Sequence, residues 1–98
     1  MTLYSILVVD DEAAQRETLA GFLKKRGYSV SVAASGEEAL DRVRDQTVDL
    51  ILTDLRMPGM DGEQLLTETR ALNPDIDVVL MTAYGSIEAA TRAMKEGA

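Results

Sequence analysis

Acidic side chains follow two of the apolar runs in this 98-residue sequence, and a hydroxyl follows another. Asp10, Asp11 and Glu12 come after the run that ends at Val9, and Asp54 and Thr82 come after later runs. Carboxylates that meet within a few Å repel, and each raises the pKa of the others unless a cation intervenes. Mg²⁺ suits such a site, because it prefers oxygen ligands and leaves coordination positions for phosphate oxygens. A carboxylate beside that ion can attack phosphorus in line.

Each of these residues taken alone also has a purely structural interpretation. Acids favour the first turn of a helix, an Asp after a strand begins many turns, and a Thr ends many strands. These residues indicate phosphoryl chemistry only if the fold brings their side chains together at one site.

The composition indicates one ordinary globular domain, with 46% hydrophobic and 28% charged residues. The net charge of −7 opposes direct binding to nucleic acid or anionic lipid. The chain has no Cys and no His, so a metal site would have to use oxygen ligands. The apolar runs are too short to span a bilayer and no basic segment precedes the first, so we predict a cytoplasmic protein without membrane contact.

Apolar runs alternate strictly with amphipathic segments along the chain. We predict strands at residues 3–9, 28–33, 48–53 and 76–81, and helices at 12–26, at 35–44, from 63 to the stop at Asn73 and Pro74, and at 86–96. Alternating strands and helices of this kind form an open, doubly wound α/β structure with a parallel sheet. Ligands of such sheets bind beyond the carboxyl ends of the strands.

Two local signals support the helix boundaries. Gly27 stands where a left-handed residue would end the first helix. Ser35 and Glu38 have the spacing of a capping box, in which each side chain accepts a hydrogen bond from the backbone of the other residue.

Four ordered motifs carry a specific family resemblance: residues 6–12 (ILVVDDE), 52–62 (LTDLRMPGMDG), 81–85 (MTAYG) and 93–98 (AMKEGA). With these motifs the chain resembles the receiver domains of bacterial two-component response regulators over its whole length. The sequences of residues 82–86 and 93–98 look most like those of receivers attached to activators of σ54-dependent transcription. The resemblance implies a flavodoxin-like fold with strand order 2-1-3-4.

The resemblance also implies roles for site residues. Asp54 would be the phosphoacceptor and a ligand of Mg²⁺, Asp11 a direct ligand, and Asp10 a ligand acting mainly through a metal-bound water. The backbone carbonyl of Arg56 would complete the set. The phosphodonor would be a phosphohistidine on a sensor histidine kinase, so the domain would be a phosphorelay component rather than an enzyme.

A conformational switch is implied beyond the fourth strand. Thr82 would move its hydroxyl onto a phosphate oxygen, because phosphorylation adds roughly −1.5 to −2 charge and three acceptor oxygens. Ala83 would keep space open beside the phosphoryl group, and the shift of this loop, which includes Tyr84, would reach the following helix. An effector domain outside this chain would then control transcription.

By the same resemblance, we expect residues 1–98 to be a receiver domain that is incomplete at its C-terminus. The family's fifth strand, with a lysine that pairs with the phosphoryl group, and its fifth helix have no counterpart here. We therefore expect an open sheet edge at the fourth strand, self-association, and weakened phosphoryl chemistry.

Three other readings compete with this one. A haloacid-dehalogenase-like phosphatase would carry a second acid two residues after its nucleophile, where this chain has Arg56. A flavodoxin-like cofactor binder would need a Ser/Thr/Gly-rich phosphate loop, where this chain has the acidic residues 10–12. A receiver fragment that folds or self-associates without normal switching remains the alternative.

Overall fold

The computed structural model of the chain describes residues 4–81. These residues form four strands and three helices in strict alternation. In chain order they are β1 (Ser5–Val9), α1 (Ala13–Lys25), β2 (Ser29–Ala33), α2 (Gly36–Asp45), β3 (Leu50–Asp54), α3 (Gly62–Leu72) and β4 (Asp77–Met81).

All four strands are parallel and lie in the order β2-β1-β3-β4, which confirms the predicted topology. The two central strands, β1 and β3, are buried over nearly all their length, whereas β2 and β4 are partly exposed. Continuous apolar sequence is typical of parallel strands covered on both faces. Because the strands are parallel, their carboxyl ends all lie at the same end of the sheet.

Successive residues of β1 alternate between two hydrophobic layers. Ile6 and Val8 pack with Leu19 and Leu23 of α1 on one face. Leu7 and Val9 face the other layer, where α2 and α3 contribute Ala39, Leu40 and Leu65. A buried leucine such as Leu23 or Leu65 stabilises the fold by roughly 1.5–3 kcal/mol.

The C-terminus of α1 confirms the role of Gly27. Its φ of 93° lies in the left-handed region, its N–H donates to the Lys24 carbonyl at 3.0 Å, and the Tyr28 N–H donates to the Leu23 carbonyl at 3.3 Å. This pair of bonds is the Schellman arrangement.

The predicted capping box at α2 is only half correct. Ser35 Oγ accepts from the Glu38 N–H at 3.1 Å as expected, but Glu38 Oε2 accepts from the Ala34 N–H at 3.0 Å rather than from Ser35. The extended backbone of Ser35, with φ −154° and ψ 165°, accompanies this shift to the preceding amide. A complete box occurs instead at α3, between Asp61 and Gln64, where the sequence reading did not place one.

The predicted limits of β3 need one correction. The sequence placed Asp54 after the strand, but it is the last strand residue and pairs with Met81 of β4. The ladder extends this far because the Leu55 N–H still donates to the Met81 carbonyl at 3.0 Å. The predicted helix 86–96 and the predicted switch residues Thr82, Ala83 and Tyr84 lie outside the described residues.

None of the helices within residues 4–81 has the length and apolar character needed to cross a bilayer. Among the described strands, β2 and β4 form the two edges of the sheet. The expected self-association stays a prediction.

Candidate functional site

Neighbouring central strands bring the acidic residues together. Val9 pairs with Thr53 in the β1–β3 register, so the next residues, Asp10 and Asp54, lie side by side at the carboxyl edge of the sheet. Ligand oxygens of Asp10, Asp11 and Asp54 all lie within 4.8 Å of one another. The three carboxylates expected to converge therefore do so.

Asp10 is the buried member of this acidic cluster, with only 5% of its surface exposed. Its N–H donates to the Ala33 carbonyl of β2 at 3.2 Å. Its Oδ1 accepts from the Glu12 N–H at 2.9 Å, and its carbonyl accepts from Arg16 Nη1 at 2.8 Å. Within residues 4–81, Oδ2 accepts no hydrogen bond and is available to a ligand.

The other two carboxylates are more accessible. Asp54 is half-buried, and its Oδ1 accepts from the Arg56 N–H at 3.3 Å, which turns the chain away from β3. Asp11 is exposed at the turn that leads into α1. The cluster thus runs from a buried acid to a solvent-facing one.

The electrostatics of the cluster are unfavourable in the absence of a cation. Burial raises the pKa of the Asp10 carboxyl, the Glu12 N–H partly offsets this, and the charges of Asp54, Asp11 and Glu12 raise the pKa further. Within the described part of the chain, the side-chain ion pairs lie on α2 and do not involve the cluster. The Arg16 guanidinium donates to the Asp10 carbonyl and not to a carboxylate, so no ion pair within residues 4–81 offsets the repulsion.

The cluster fits a hard divalent cation. Its donors are all oxygens, Asp11 faces solvent, and within residues 4–81 one oxygen each of Asp10 and Asp54 accepts no hydrogen bond, which suits an Mg²⁺ site that retains waters. Arg56 lies beside Asp54 through its N–H, and the ligand role of its carbonyl stays a prediction.

Gly62, the first residue of α3, packs against the backbone that carries Asp54. A Cβ at this position would lie 2.6 Å from the Asp54 carbonyl oxygen, 2.9 Å from Leu80 Cδ2 and 3.1 Å from Leu55 Cα. The Gly62 N–H donates to the Leu55 carbonyl at 3.0 Å. Only glycine allows α3 to approach the end of β3 this closely.

Two supporting residues were missed by the sequence reading. Gly62 was noted only as part of a turn-rich motif, because a glycine in that context indicates a turn. Arg16 was not singled out, and its sequence position gives no sign that it contacts the end of β1.

An open, doubly wound parallel sheet with carboxylates at the ends of its central strands defines a flavodoxin-like α/β domain with an acidic site. The response regulator receiver domain family matches residues 6–98, and the chain belongs to this family. The prediction of a receiver domain is thereby confirmed.

Individual relatives agree with this assignment. The chain is 50% identical over 93 residues to the transcriptional regulatory protein ZraR of Escherichia coli (strain K12), covering 95% of this chain and 21% of ZraR. It is 39% identical over 93 residues to sporulation initiation phosphotransferase F of Bacillus subtilis (strain 168), covering 95% of this chain and 75% of that protein. The chain therefore spans about a fifth of the length of ZraR.

A solved structure extends the likeness to three dimensions. The response regulator protein TrrA from Thermotoga maritima, in complex with Mg(2+)-BeF, matches with a TM-score of 0.85 and 32% identity. The match covers 96% of this chain and 98% of the TrrA chain. Kinship to receivers of transcriptional regulators, suggested by the sequence, is confirmed by the similarity to ZraR.

Removing one charge from the cluster should stabilise the metal-free protein. Asp10→Asn keeps an oxygen for the Glu12 N–H but removes the buried negative charge, so at neutral pH in EDTA we expect its thermal midpoint to rise by roughly 4 °C or more. A carboxyl whose pKa is raised by folding adds stability at low pH and loses it as the pH rises through the folded pKa. The advantage of Asp10→Asn should therefore be largest at pH values above the folded pKa of Asp10 and vanish in acid.

The matched control is Asp75→Asn, which removes an exposed charge from a loop remote in sequence from the cluster. We expect this control to leave the midpoint nearly unchanged, and Mg²⁺ to stabilise the wild type more than Asp10→Asn. A midpoint for Asp10→Asn below that of the wild type in EDTA would contradict the electrostatic account.

The close approach of α3 gives a second prediction. Gly62→Ala should lower the free energy of unfolding by about 1–3 kcal/mol, because its Cβ would overlap backbone atoms. Gly21→Ala in α1, where a Cβ meets nothing within 4 Å, should instead be neutral or raise it by about 0.5–1 kcal/mol. Urea denaturation measures both, and equal midpoints for the two variants would show that the approach does not constrain the site.

Proposed function

We propose that this chain is the Mg²⁺-dependent phosphoacceptor of a phosphorelay and that Asp54 receives the phosphoryl group. The observation that carries the proposal is the set of three carboxylates at the ends of β1 and β3, whose ligand oxygens lie within 4.8 Å of one another and which form no ion pair with a side chain of residues 4–81. Membership of the receiver family and the likeness to TrrA in complex with Mg(2+)-BeF support it.

Asp54 suits the nucleophilic role better than its neighbours. It is half-buried, so a donor can reach it, and its backbone is fixed in the central part of the sheet by pairing with Met81. Its Oδ1 is held by the Arg56 N–H, while Oδ2 accepts no hydrogen bond within the described residues. Asp10 is nearly inaccessible, and Asp11 lies on an exposed turn.

Asp10, Asp11, Asp54 and the carbonyl of Arg56 are the groups that would hold the ion. When bound, Mg²⁺ neutralises charge on the transferring phosphoryl group. Asp10 and Asp11 would bind and orient the ion, and the pairing of Asp54 with Met81 fixes the backbone that carries the attacking carboxylate.

The transfer itself needs no general base from this chain. A carboxylate oxygen of Asp54 forms the new P–O bond as the P–N bond of a phosphohistidine breaks, and the imidazole nitrogen keeps the electron pair and takes up a proton. A sensor histidine kinase is the proposed donor. The chain acts as the acceptor of the group and not as an enzyme that turns over a substrate.

The output of the domain belongs to the same proposal. Thr82, Ala83 and Tyr84, which lie outside the described residues, would respond to the phosphoryl group and transmit the change to an effector domain. The similarity to a transcriptional regulatory protein supports a transcriptional output in the cytoplasm. The charge of −7 argues against direct contact of this chain with nucleic acid.

The test is phosphoryl labelling of Asp54→Asn by acetyl phosphate, followed by intact-protein mass spectrometry. The wild type should gain one phosphoryl group with Mg²⁺ and none in EDTA. Asp54→Asn should gain none, because an amide does not form the acyl phosphate.

Asp41→Asn is the control, since it alters an exposed carboxylate on α2 that pairs with Arg44 and takes no part in the cluster. This variant should be labelled like the wild type. Labelling that survives Asp54→Asn would refute the assignment of Asp54, and a wild type that takes no phosphoryl group would favour the alternative of a non-switching fragment.

A further inference from the structure

Arg16 connects the first helix to the end of the first strand. It is the fourth residue of α1, and its partly buried guanidinium turns back across the loop that precedes the helix. Its Nη1 donates to the carbonyl of Asp10 at 2.8 Å. Asp10 follows the last residue of β1, so this bond links the end of β1 to α1 across the turn that contains Asp11 and Glu12.

With this bond, every polar group of the Asp10 backbone is engaged. The N–H donates to the Ala33 carbonyl of β2 and the carbonyl accepts from Arg16, while in the side chain Oδ1 accepts from the Glu12 N–H. The guanidinium contacts the carbonyl and not the carboxylate. Arg16 thus fixes the residue without occupying an oxygen that a metal would use.

We propose that Arg16 is a positioning residue for the metal site, an inference that rests on the proposed function of the acidic cluster. It holds the turn from β1 to α1 so that the carboxylates of Asp10 and Asp11 are preorganised for Mg²⁺. Groups that orient metal ligands without touching the metal commonly affect affinity by about tenfold or more. The contribution is one of geometry rather than of charge.

Arg16→Met tests this proposal, because it keeps an apolar stem and removes the donor. Arg44→Met is the matched control: it removes the same charge from an exposed pair on α2. Titration calorimetry should give a Mg²⁺ dissociation constant about tenfold higher for Arg16→Met than for the wild type, and an unchanged one for Arg44→Met. The ratio should be the same at low salt and at about 0.5 M salt, where charge effects are screened.

A metal-free readout separates positioning from metal chemistry. Hydrogen exchange of the Glu12 amide, which depends on Asp10 Oδ1 staying in place, should be faster in Arg16→Met than in the wild type and Arg44→Met. If Arg16→Met does not fold, the Mg²⁺ affinities of Arg16→Lys and Arg44→Lys test the proposal instead. A single ammonium replaces the forked donor, so a few-fold weaker Mg²⁺ binding is expected only at position 16.

Unchanged Mg²⁺ affinity and unchanged Glu12 exchange in the Arg16 variants would overturn the proposal, while the proposed function of the site would stand. An affinity ratio that falls to one in high salt would also overturn it, because it would show an effect of charge alone. A wild type that does not bind Mg²⁺ would overturn both. Mg²⁺ binding that depends on Arg16, without labelling of Asp54, would support the positioning role and reject the phosphoacceptor.

Discussion

Repulsion among the carboxylates of Asp10, Asp11 and Asp54 is the constraint on which the site depends. Their ligand oxygens lie within 4.8 Å of one another, and one of them is buried. Such an arrangement costs free energy, so the backbone must impose it, and only a cation can offset the cost. The parallel register imposes it. Val9 pairs with Thr53, so the residues that follow them, Asp10 and Asp54, lie side by side at the carboxyl end of the sheet.

The surrounding contacts oppose any relaxation of this arrangement. Asp10 is held by hydrogen bonds to Ala33, Glu12 and Arg16. Asp54 is held by the β3–β4 ladder, and the absence of a side chain at Gly62 lets α3 pack directly on its carbonyl. Hydrophobic layers on both faces of the sheet keep β1 and β3 in register. The core therefore stabilises a charge arrangement that would otherwise separate, and this stored repulsion favours binding of a divalent ion.

Much of this could be predicted from the sequence because it follows from local patterns. Continuous apolar runs such as residues 6–9 predicted buried parallel strands, and the acids directly after them predicted the cluster. Gly27 predicted the end of α1 because a left-handed residue has a strong local signature. The strict alternation of elements then left few possible topologies.

What the sequence did not predict depends on contacts between separate segments. The hydrogen bond from Arg16 to Asp10 crosses a turn, and no local pattern in the sequence indicates it. Glu38 had the spacing of a capping box, but its carboxylate accepts from the Ala34 N–H instead of the Ser35 N–H. The backbone conformation of Ser35 determines which of these two amides the carboxylate reaches. The inclusion of Asp54 in β3 depends on its pairing with Met81, which lies 27 positions later in the numbering.

The central claim, that this cluster makes Asp54 and no neighbouring acid the phosphoacceptor, is tested most directly by chemical mapping of the phosphorylated residue. Borohydride reduces an aspartyl phosphate to homoserine, which peptide mass spectrometry locates in the chain. After treatment with acetyl phosphate and Mg²⁺, homoserine should appear at position 54 alone. Homoserine at position 10 or 11, or its absence from a protein that has gained a phosphoryl group, would contradict the account.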